Sequence, residues 1–428
     1  MKALNKHFAL TVLKRILDLG IGVYLILIPI IIVTGGFKVD LLGISIKAHH
    51  IYTPLRFLVP LILIRLIITV EIKSFILLLC SVFVSLLGAE LALRIWNPPM
   101  AKPHMAQIHR ASPIFDWELV PGSSGIGGFG ETYRINSAGF RDIEHERERR
   151  PGIFRIMVIG DSFTFGPSVN LEDTYPKQLE RILKDSHIRC EVINCGVIGY
   201  DMWQHFEMLK RKVLPHQPDL VILGLFLNDI TDPIPPYKKG TGQWKGTNPF
   251  EPEGPSEIMK HFSLWNYLWN LNYWFETKYR YRRGHAYLQG IEKRKQKFGP
   301  GTHKNKWRKI MVGKLEKQEY EEFKEALNAF VVTAKSGGAS VLVAMIPDAA
   351  QLHDPGKQAV NRFLERSCLE AGAPFVDTTP GLEKQKDPRP LYLFPKDPHN
   401  SPKGYRLIAQ TIADKIRKNG LLTSQKRE

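Results

Sequence analysis

Three apolar stretches within the first hundred residues, roughly 16–34, 51–70 and 74–93, constrain this chain more than any other feature. Each approaches the ~20 residues with which a helix crosses a ~30 Å hydrocarbon layer. A cleaved signal peptide would carry one short apolar core and a small-residue cleavage site. Here the apolar pattern restarts twice after brief polar interruptions, so residues 1–96 are expected to remain as a membrane anchor of three transmembrane helices. Four charges interrupt the pattern, and a charge in hydrocarbon costs several kcal/mol unless paired or snorkelled. Asp18, Arg56 and Glu90 fall near span ends. Arg65 lies inside the second stretch. It either pairs with Asp18 or Glu90 across helices or marks a shorter interfacial segment, and two spans in place of three would reverse the side on which the rest of the chain emerges.

Lys2, Lys6, Lys14 and Arg15 precede the first span and Lys73 lies in the second turn, which puts the N-terminus in the cytoplasm by the positive-inside tendency. Lys38 and Lys47 in the first loop weigh against it. With three spans, everything after Leu93 is expected outside the cytoplasmic membrane. The chain has 428 residues, enough for such an anchor and a separate globular domain with a core of its own. Its net charge of +17 is local: residues 278–318 hold fourteen Lys and Arg against Glu292 and Glu316, and the remainder is nearly balanced. Four cysteines exclude a disulfide scaffold. The absence of Cys-x-x-Cys and His-Glu-x-x-His patterns gives no reason to expect zinc, and no cofactor is expected.

Residues 97–121 are rich in Pro, His and small residues and read as a linker; together with a short strand at 131–136 and a turn at Ser137-Ala138-Gly139-Phe140-Arg141, residues 97–150 form a linker and N-terminal extension. From residue 154 a rhythm sets in. Strands are expected at 154–159, 190–194, 220–226, 340–346 and 375–377, and helices at 174–183, 202–214, 320–334, 358–371 and 403–416. Strands apolar almost throughout, spaced by amphipathic helices, indicate a parallel sheet covered on both faces, a doubly wound α/β domain over residues 151–428. One insertion, at about 231–318, breaks the rhythm. It is too long for a structureless loop, and its aromatic segment 262–275 reads as a helix.

In open parallel sheets the ligand site lies at the carboxyl ends of the strands. Ser162 follows the first strand, Gly199 the second, Asn228 ends the third, and His399 precedes the last helix. Taken singly, each has an ordinary structural reading as a turn, a cap or a surface polar residue. Taken in order, they describe one reaction. Acyl transfer needs a hydroxyl activated by a base, and hydrogen-bond donors aimed where the carbonyl oxygen becomes negative. Ser162 and His399 meet the first need, and the N–H groups of Ser162 and Gly199 with the Asn228 amide meet the second. Asp397 is the candidate to orient the imidazole.

Gly160-Asp161-Ser162-Phe163, Asn194-x-Gly196-x-x-Gly199, Gly224-x-x-x-Asn228-Asp229 and Asp397-x-His399 before a Gly404-Tyr405-Arg406-Leu407-Ile408-Ala409 helix resemble the four signature blocks of SGNH (GDSL-like) hydrolases. The resemblance covers residues 154–418 apart from the insertion. It implies a flavodoxin-like three-layer α/β sandwich and hydrolysis of acyl esters, with Ser162, Gly199 and Asn228 forming the oxyanion hole and Asp397 and His399 completing the catalytic triad. The usual last block has two residues between Asp and His, whereas this chain has only Pro398. Either a variant spacing or a backbone carbonyl as partner of His399 is compatible with that. Asp161 and Asp229 are read as structural.

The expected protein is therefore a multi-pass, membrane-anchored serine esterase with an extracytoplasmic catalytic domain, acting on O-acyl groups, O-acetyl foremost, of a cell-envelope polysaccharide or lipid. A hydroxyl acceptor in place of water would make the same site an O-acyltransferase. A non-catalytic envelope protein binding glycan or protein partners is the alternative from another class. The insertion emerges beside the expected oxyanion hole, where its aromatic helix would act as a packed lid, a sugar platform or a lipid contact. The basic run after it is expected near the membrane. Nucleic acid is not an expected partner.

Overall fold

In the computed structural model of the protein, the residues described are 2–34, 37–41, 44–48, 52–69, 72–98, 108–127, 131–230, 259, 261–275, 309–314, 317–393 and 397–422. The chain divides into two compact units, Met1–Trp96 and Asn97–Glu428.

The first unit holds three helices, α1 (Lys2–Thr34), α2 (Tyr52–Thr69) and α3 (Ile72–Trp96), and a hairpin of Phe37–Leu41 with Ile44–Ala48. Among the described residues one helix, over Ile76–Trp96, is long and apolar enough to cross a membrane. Its Leu77, Phe83 and Val84 are exposed, as lipid-facing side chains are. Ser81 and Ser85 return their hydroxyls to the carbonyls one turn back, Leu77 and Ser81, and so satisfy their own donors within the helix. The partner of Arg65 is Asp18, with Nε 2.7 Å from Oδ1 and Nη2 3.1 Å from Oδ2. Glu90 is taken instead by Arg94, one turn further along α3.

The second unit is built on a five-stranded parallel sheet. Its strands are β1 (Phe154–Gly160), β2 (Cys190–Asn194), β3 (Leu220–Leu225), β4 (Ser340–Met345) and β5 (Phe375–Asp377), in spatial order β5-β4-β3-β1-β2. β1, β2 and β3 are buried along their whole length, as strands covered on both faces must be. The crossovers put α5 (Tyr175–Asp185) and the last helix, α9 (Pro402–Lys418), together on one face. α6 (Met202–Met208), α7 (Lys317–Ser336) and α8 (Ala359–Glu370) cover the other. This order, with its reversal between β1 and β3, is the flavodoxin-like arrangement.

The helices follow from local signals. α9 starts where the Ser401 hydroxyl accepts from Gly404 N–H, has Pro402 in its first turn, buries Tyr405, Ile408, Ile412 and Ile416 at helical spacing, and ends on Lys415, Arg417 and Lys418 against the negative end of the dipole. α6 opens with a capping box between Asp201 and Gln204 and is shorter than the expected 202–214, because Leu209–Val213 continues it as a π turn.

Residues 97–121 are not only a linker. His109–Ser112 pairs with Asp116–Leu119 as a hairpin whose Phe115 and Leu119 enter the core. The strand expected at 131–136 is limited to Thr132–Arg134, paired with Ser124–Ile126. The insertion contributes a helix, Ser263–Phe275, with Trp265 and Trp269 stacked and exposed. Of the rest of 231–318, only residues 259, 261–262, 309–314 and 317–318 are described, and most of the basic run lies outside the described residues.

Candidate active site

Register decides which chain ends meet. Gly160 of β1 lies opposite Gly224 of β3, and Val158 opposite Asn194 of β2, so β1 and β3 leave the sheet side by side and the edge strand β2 ends two residues short of them. The glycines make this approach close. A Cβ on Gly160 would stand 2.6 Å from the Gly224 carbonyl oxygen, and one on Gly224 would stand 2.3 Å from the Tyr175 hydroxyl.

Directly beyond β1 the chain turns into α4 (Ser162–Phe165). The Asp161 carboxylate accepts from Phe163 N–H at 2.8 Å, and the helix closes on Gly166 in the left-handed region. Asn194 ties this turn to the β2 loop, since its amide donates to the Thr164 carbonyl at 3.0 Å and accepts from Gly196 N–H at 3.0 Å. Ser162 is thereby held half-buried at the carboxyl edge of the sheet.

His399 reaches that edge on a loop sewn shut just before α9. Leu393 N–H donates to the His399 carbonyl at 2.9 Å, Ser401 N–H to Leu391 at 2.9 Å, and the Tyr392 hydroxyl to Pro347 beyond β4 at 3.0 Å. His399 Nε2 is 2.8 Å from Ser162 Oγ, and His399 Nδ1 is 2.5 Å from Asp397 Oδ1. The same Oδ1 accepts from the His399 backbone N–H at 2.9 Å. Asp397 thus forms an Asx turn around Pro398 and grips both the backbone and the ring of His399, which is how a single intervening residue suffices. With Nδ1–H given to Asp397, Nε2 presents its lone pair to the serine hydroxyl. The ring also rests on Phe163, 4.6 Å between centroids, and Phe163 stacks on Phe226 at 3.9 Å.

Burial alone would raise the Asp397 carboxyl. The charge and hydrogen bonds of His399, with the Ser168 hydroxyl, outweigh it and hold the group below the usual carboxylate range. Behind the serine a second polar cluster is closed off from water. Burial first, then the Asp229 charge, push Asp161 up to about 7. Burial brings His205 down to about 4, and its Nε2 lies 3.0 Å from Asp229 Oδ1. The other Asp229 oxygen accepts from Phe226 N–H at 2.6 Å, so Asp161 and Asp229 both serve the backbone around the site.

Gly199 sits in the loop after β2 with φ +78, a conformation glycine adopts without strain. Asn228 lies in the turn Leu227–Ile230 after β3 with its Nδ2 3.4 Å from the Tyr200 carbonyl, beside the Gly199 peptide. That amide has a second N–H to offer. The wall over this loop comes from the N-terminal hairpin, unforeseen in the sequence. Trp117 Nε1 donates to the Ile198 carbonyl at 3.0 Å, the Tyr200 hydroxyl to the Trp117 carbonyl at 2.7 Å, and Gln204 to the Phe115 carbonyl at 2.6 Å. No periodic pattern marks Trp117; a lone tryptophan in a Pro-rich stretch was its only signal.

A hydroxyl, an imidazole and a carboxylate in series at the carboxyl edge of a parallel α/β sheet define a serine ester hydrolase. The chain belongs to the GDSL-like lipase/acylhydrolase family, whose model matches residues 158–407. No curated protein matches it. Similar solved structures include a putative lipolytic protein of the G-D-S-L family from Desulfitobacterium hafniense DCB-2, at 15% identity over 61% of this chain and 98% of that one, with a TM-score of 0.33. The acetylxylan esterase Axe2 from Geobacillus stearothermophilus is 14% identical over 61% of this chain and 94% of its own, with a TM-score of 0.35. TesA is 12% identical over 62% and 98%, with a TM-score of 0.37.

Proposed function

We propose that Ser162 is the nucleophile, His399 the general base and Asp397 the residue that orients it, in a membrane-anchored esterase that removes acyl groups from an envelope glycan or lipid. The Ser162–His399–Asp397 series of contacts carries this reading. Ser162 Oγ attacks the ester carbonyl while Nε2 takes its proton. The negative oxygen that forms is met by the N–H groups of Ser162 and Gly199 and by the Asn228 amide. The imidazolium returns the proton to the leaving alkoxide, releasing the alcohol and leaving an acyl-serine. Water, deprotonated by the same nitrogen, then frees the acid and restores the hydroxyl.

O-Acetyl groups are the acyl class we favour. The exposed Trp265 and Trp269 offer an apolar surface suited to sugar faces or acyl chains. Among the described residues one helix, over Ile76–Trp96, is long and apolar enough to cross a membrane; for two further spans, with residues 97–428 outside the cytoplasm, the support is the apolar stretches 16–34 and 51–70 and the Lys and Arg placement in the sequence.

The full chain in detergent, treated with a fluorophosphonate probe, is expected to label, and Ser162→Ala to remove the label. A folded wild-type protein that does not label would overturn the reading. For topology, alkaline phosphatase fused after Glu428 is expected to be active; activity only of a cytoplasmic reporter at the same place would reverse the orientation.

A further inference from the structure

The loop after β2 makes a tight turn over residues 197–200, closed by the Tyr200 N–H on the Val197 carbonyl at 3.3 Å. Gly199 has φ +78 and Ile198 does not share its positive φ, the pattern of a type II turn. Types I and II differ by rotation of the central peptide plane through about half a turn, and a glycine in the third place tolerates both. In a trans peptide the C=O and the N–H point opposite ways. The plane between Ile198 and Gly199 therefore has two settings, which exchange the sides taken by the Ile198 carbonyl and the Gly199 N–H.

The setting is chosen from outside the loop. Trp117 Nε1, on the N-terminal hairpin, donates to the Ile198 carbonyl at 3.0 Å. Its ring packs edge-on against Tyr200, 5.8 Å between centroids, and the Tyr200 hydroxyl donates in return to the Trp117 carbonyl at 2.7 Å. A flipped plane would break the indole bond and turn the Gly199 N–H toward the indole N–H, donor against donor. Gly199 itself is exposed, and among the described residues its N–H meets no acceptor. The orientation of that donor is thus set by the carbonyl on the other side of the same peptide.

We propose that Trp117 is a positioning residue for the oxyanion: by holding the Ile198 carbonyl, its indole keeps the 198–199 peptide in the setting that offers the Gly199 N–H to the reacting carbonyl oxygen. The proposal rests on the reading of Ser162, Gly199 and Asn228 as the oxyanion donors. Trp117 acts through the peptide, and the gain is realised only as the oxygen becomes negative, so losing the indole N–H lowers kcat and leaves KM in place.

Trp117→Phe keeps a ring against Tyr200 and deletes the indole N–H. In the full chain in detergent, with active sites titrated by the fluorophosphonate and a short-chain nitrophenyl ester as substrate, it is expected to lower kcat about 10-fold with KM within about twofold. The loss is smaller than for a deleted donor, because glycine still permits the productive turn. A trifluoromethyl ketone reports on the oxyanion itself: Ser162 Oγ adds to its carbonyl carbon, His399 Nε2 takes the proton, and the former carbonyl oxygen carries the charge. Its affinity is expected to weaken by the same factor of about 10. Gln204→Met loosens the same hairpin at Phe115 without touching the 198–199 peptide. It is expected to lower the melting temperature while kcat and ketone affinity stay within about twofold of wild type. Equal losses in Gln204→Met, or wild-type kcat and ketone affinity in folded Trp117→Phe, would overturn the proposal. Where Trp117→Phe does not fold, replacing Trp117 with benzothienylalanine, which has sulfur in place of the N–H, repeats the test with the packing kept. Ketone binding weakened by Asn228→Ala but not by loss of the indole N–H would leave the oxyanion hole standing and remove the role of Trp117; weakening by neither, or no binding to the wild type, would remove the hole itself.

Discussion

His399 Nε2 lies 2.8 Å from Ser162 Oγ across a separation of 237 residues, and the contact is made by structure on both sides. The serine is fixed by a capped turn at the end of β1, and the histidine by a loop whose carboxylate binds its backbone and its ring together.

If that contact is the proton path, Ser162→Ala and His399→Ala each lower kcat by about 10⁴-fold or more, and the double variant is hardly worse than either, since the two act as one unit. Steady-state rates of the three proteins on a nitrophenyl ester provide the comparison; additive losses would mean that the residues work separately.

Asn228→Ala removes a donor for the developing oxyanion and is expected to cost about 10²–10³-fold in kcat with little change in KM. Asn228→Asp sets a negative charge against another and is expected to be worse. A loss confined to KM would assign the amide to ground-state binding.

Gly196→Ala puts a Cβ 2.2 Å from Phe165 N and 2.6 Å from the Thr164 carbonyl carbon, both backbone atoms of the serine turn that cannot swing aside. Destabilisation of about 3 kcal/mol or more is expected. Gly420→Ala, with φ +62 and open space around it, is expected to cost only about 1 kcal/mol. Melting temperatures of the two variants test the contrast.

His205 has a folded value of about 4 against an ordinary 6.5, so the unfolded chain accepts a proton that the folded chain refuses. Stability from this group is complete above pH 6.5 and is lost as pH falls toward 4, on the order of 3 kcal/mol in all. His205→Gln keeps a donor for Asp229 but cannot titrate. The difference in melting temperature between wild type and His205→Gln is expected to shift against the wild type by roughly 5 °C on going from pH 7.5 to pH 4.5. Asp161, displaced in the opposite sense, is present in both proteins and largely cancels. A difference independent of pH would mean that His205 is protonated or hydrated in the folded protein.

The α/β order and the five parallel strands were legible because each strand is an apolar run that nothing else in a folded chain would tolerate at that length. The residues of the site were legible because parallel strands deliver their following loops to one edge. Arg141 and Trp117 were not. A turn arginine and a lone tryptophan give no periodicity, and their contacts are to segments 24 to 28 residues away for Arg141 and 81 residues away for Trp117. The short Asp397-Pro398-His399 spacing looked like a departure only while the carboxylate was assumed to bind the ring alone. Once Oδ1 also takes the His399 N–H, the turn supplies the reach that a second intervening residue would otherwise give.

The hairpin from His109 to Leu119 belongs neither to the sheet nor to any of the signature segments, yet it roofs the Gly199 loop through Trp117 and Phe115. The loop that carries Gly199 is therefore braced by a stretch of polypeptide outside the signature segments. Trimming the chain back to its first parallel strand would take Phe115 and Leu119 out of the core and the Trp117 indole off the Ile198 carbonyl, so the stretch before the sheet is part of the catalytic unit and not a tether to it.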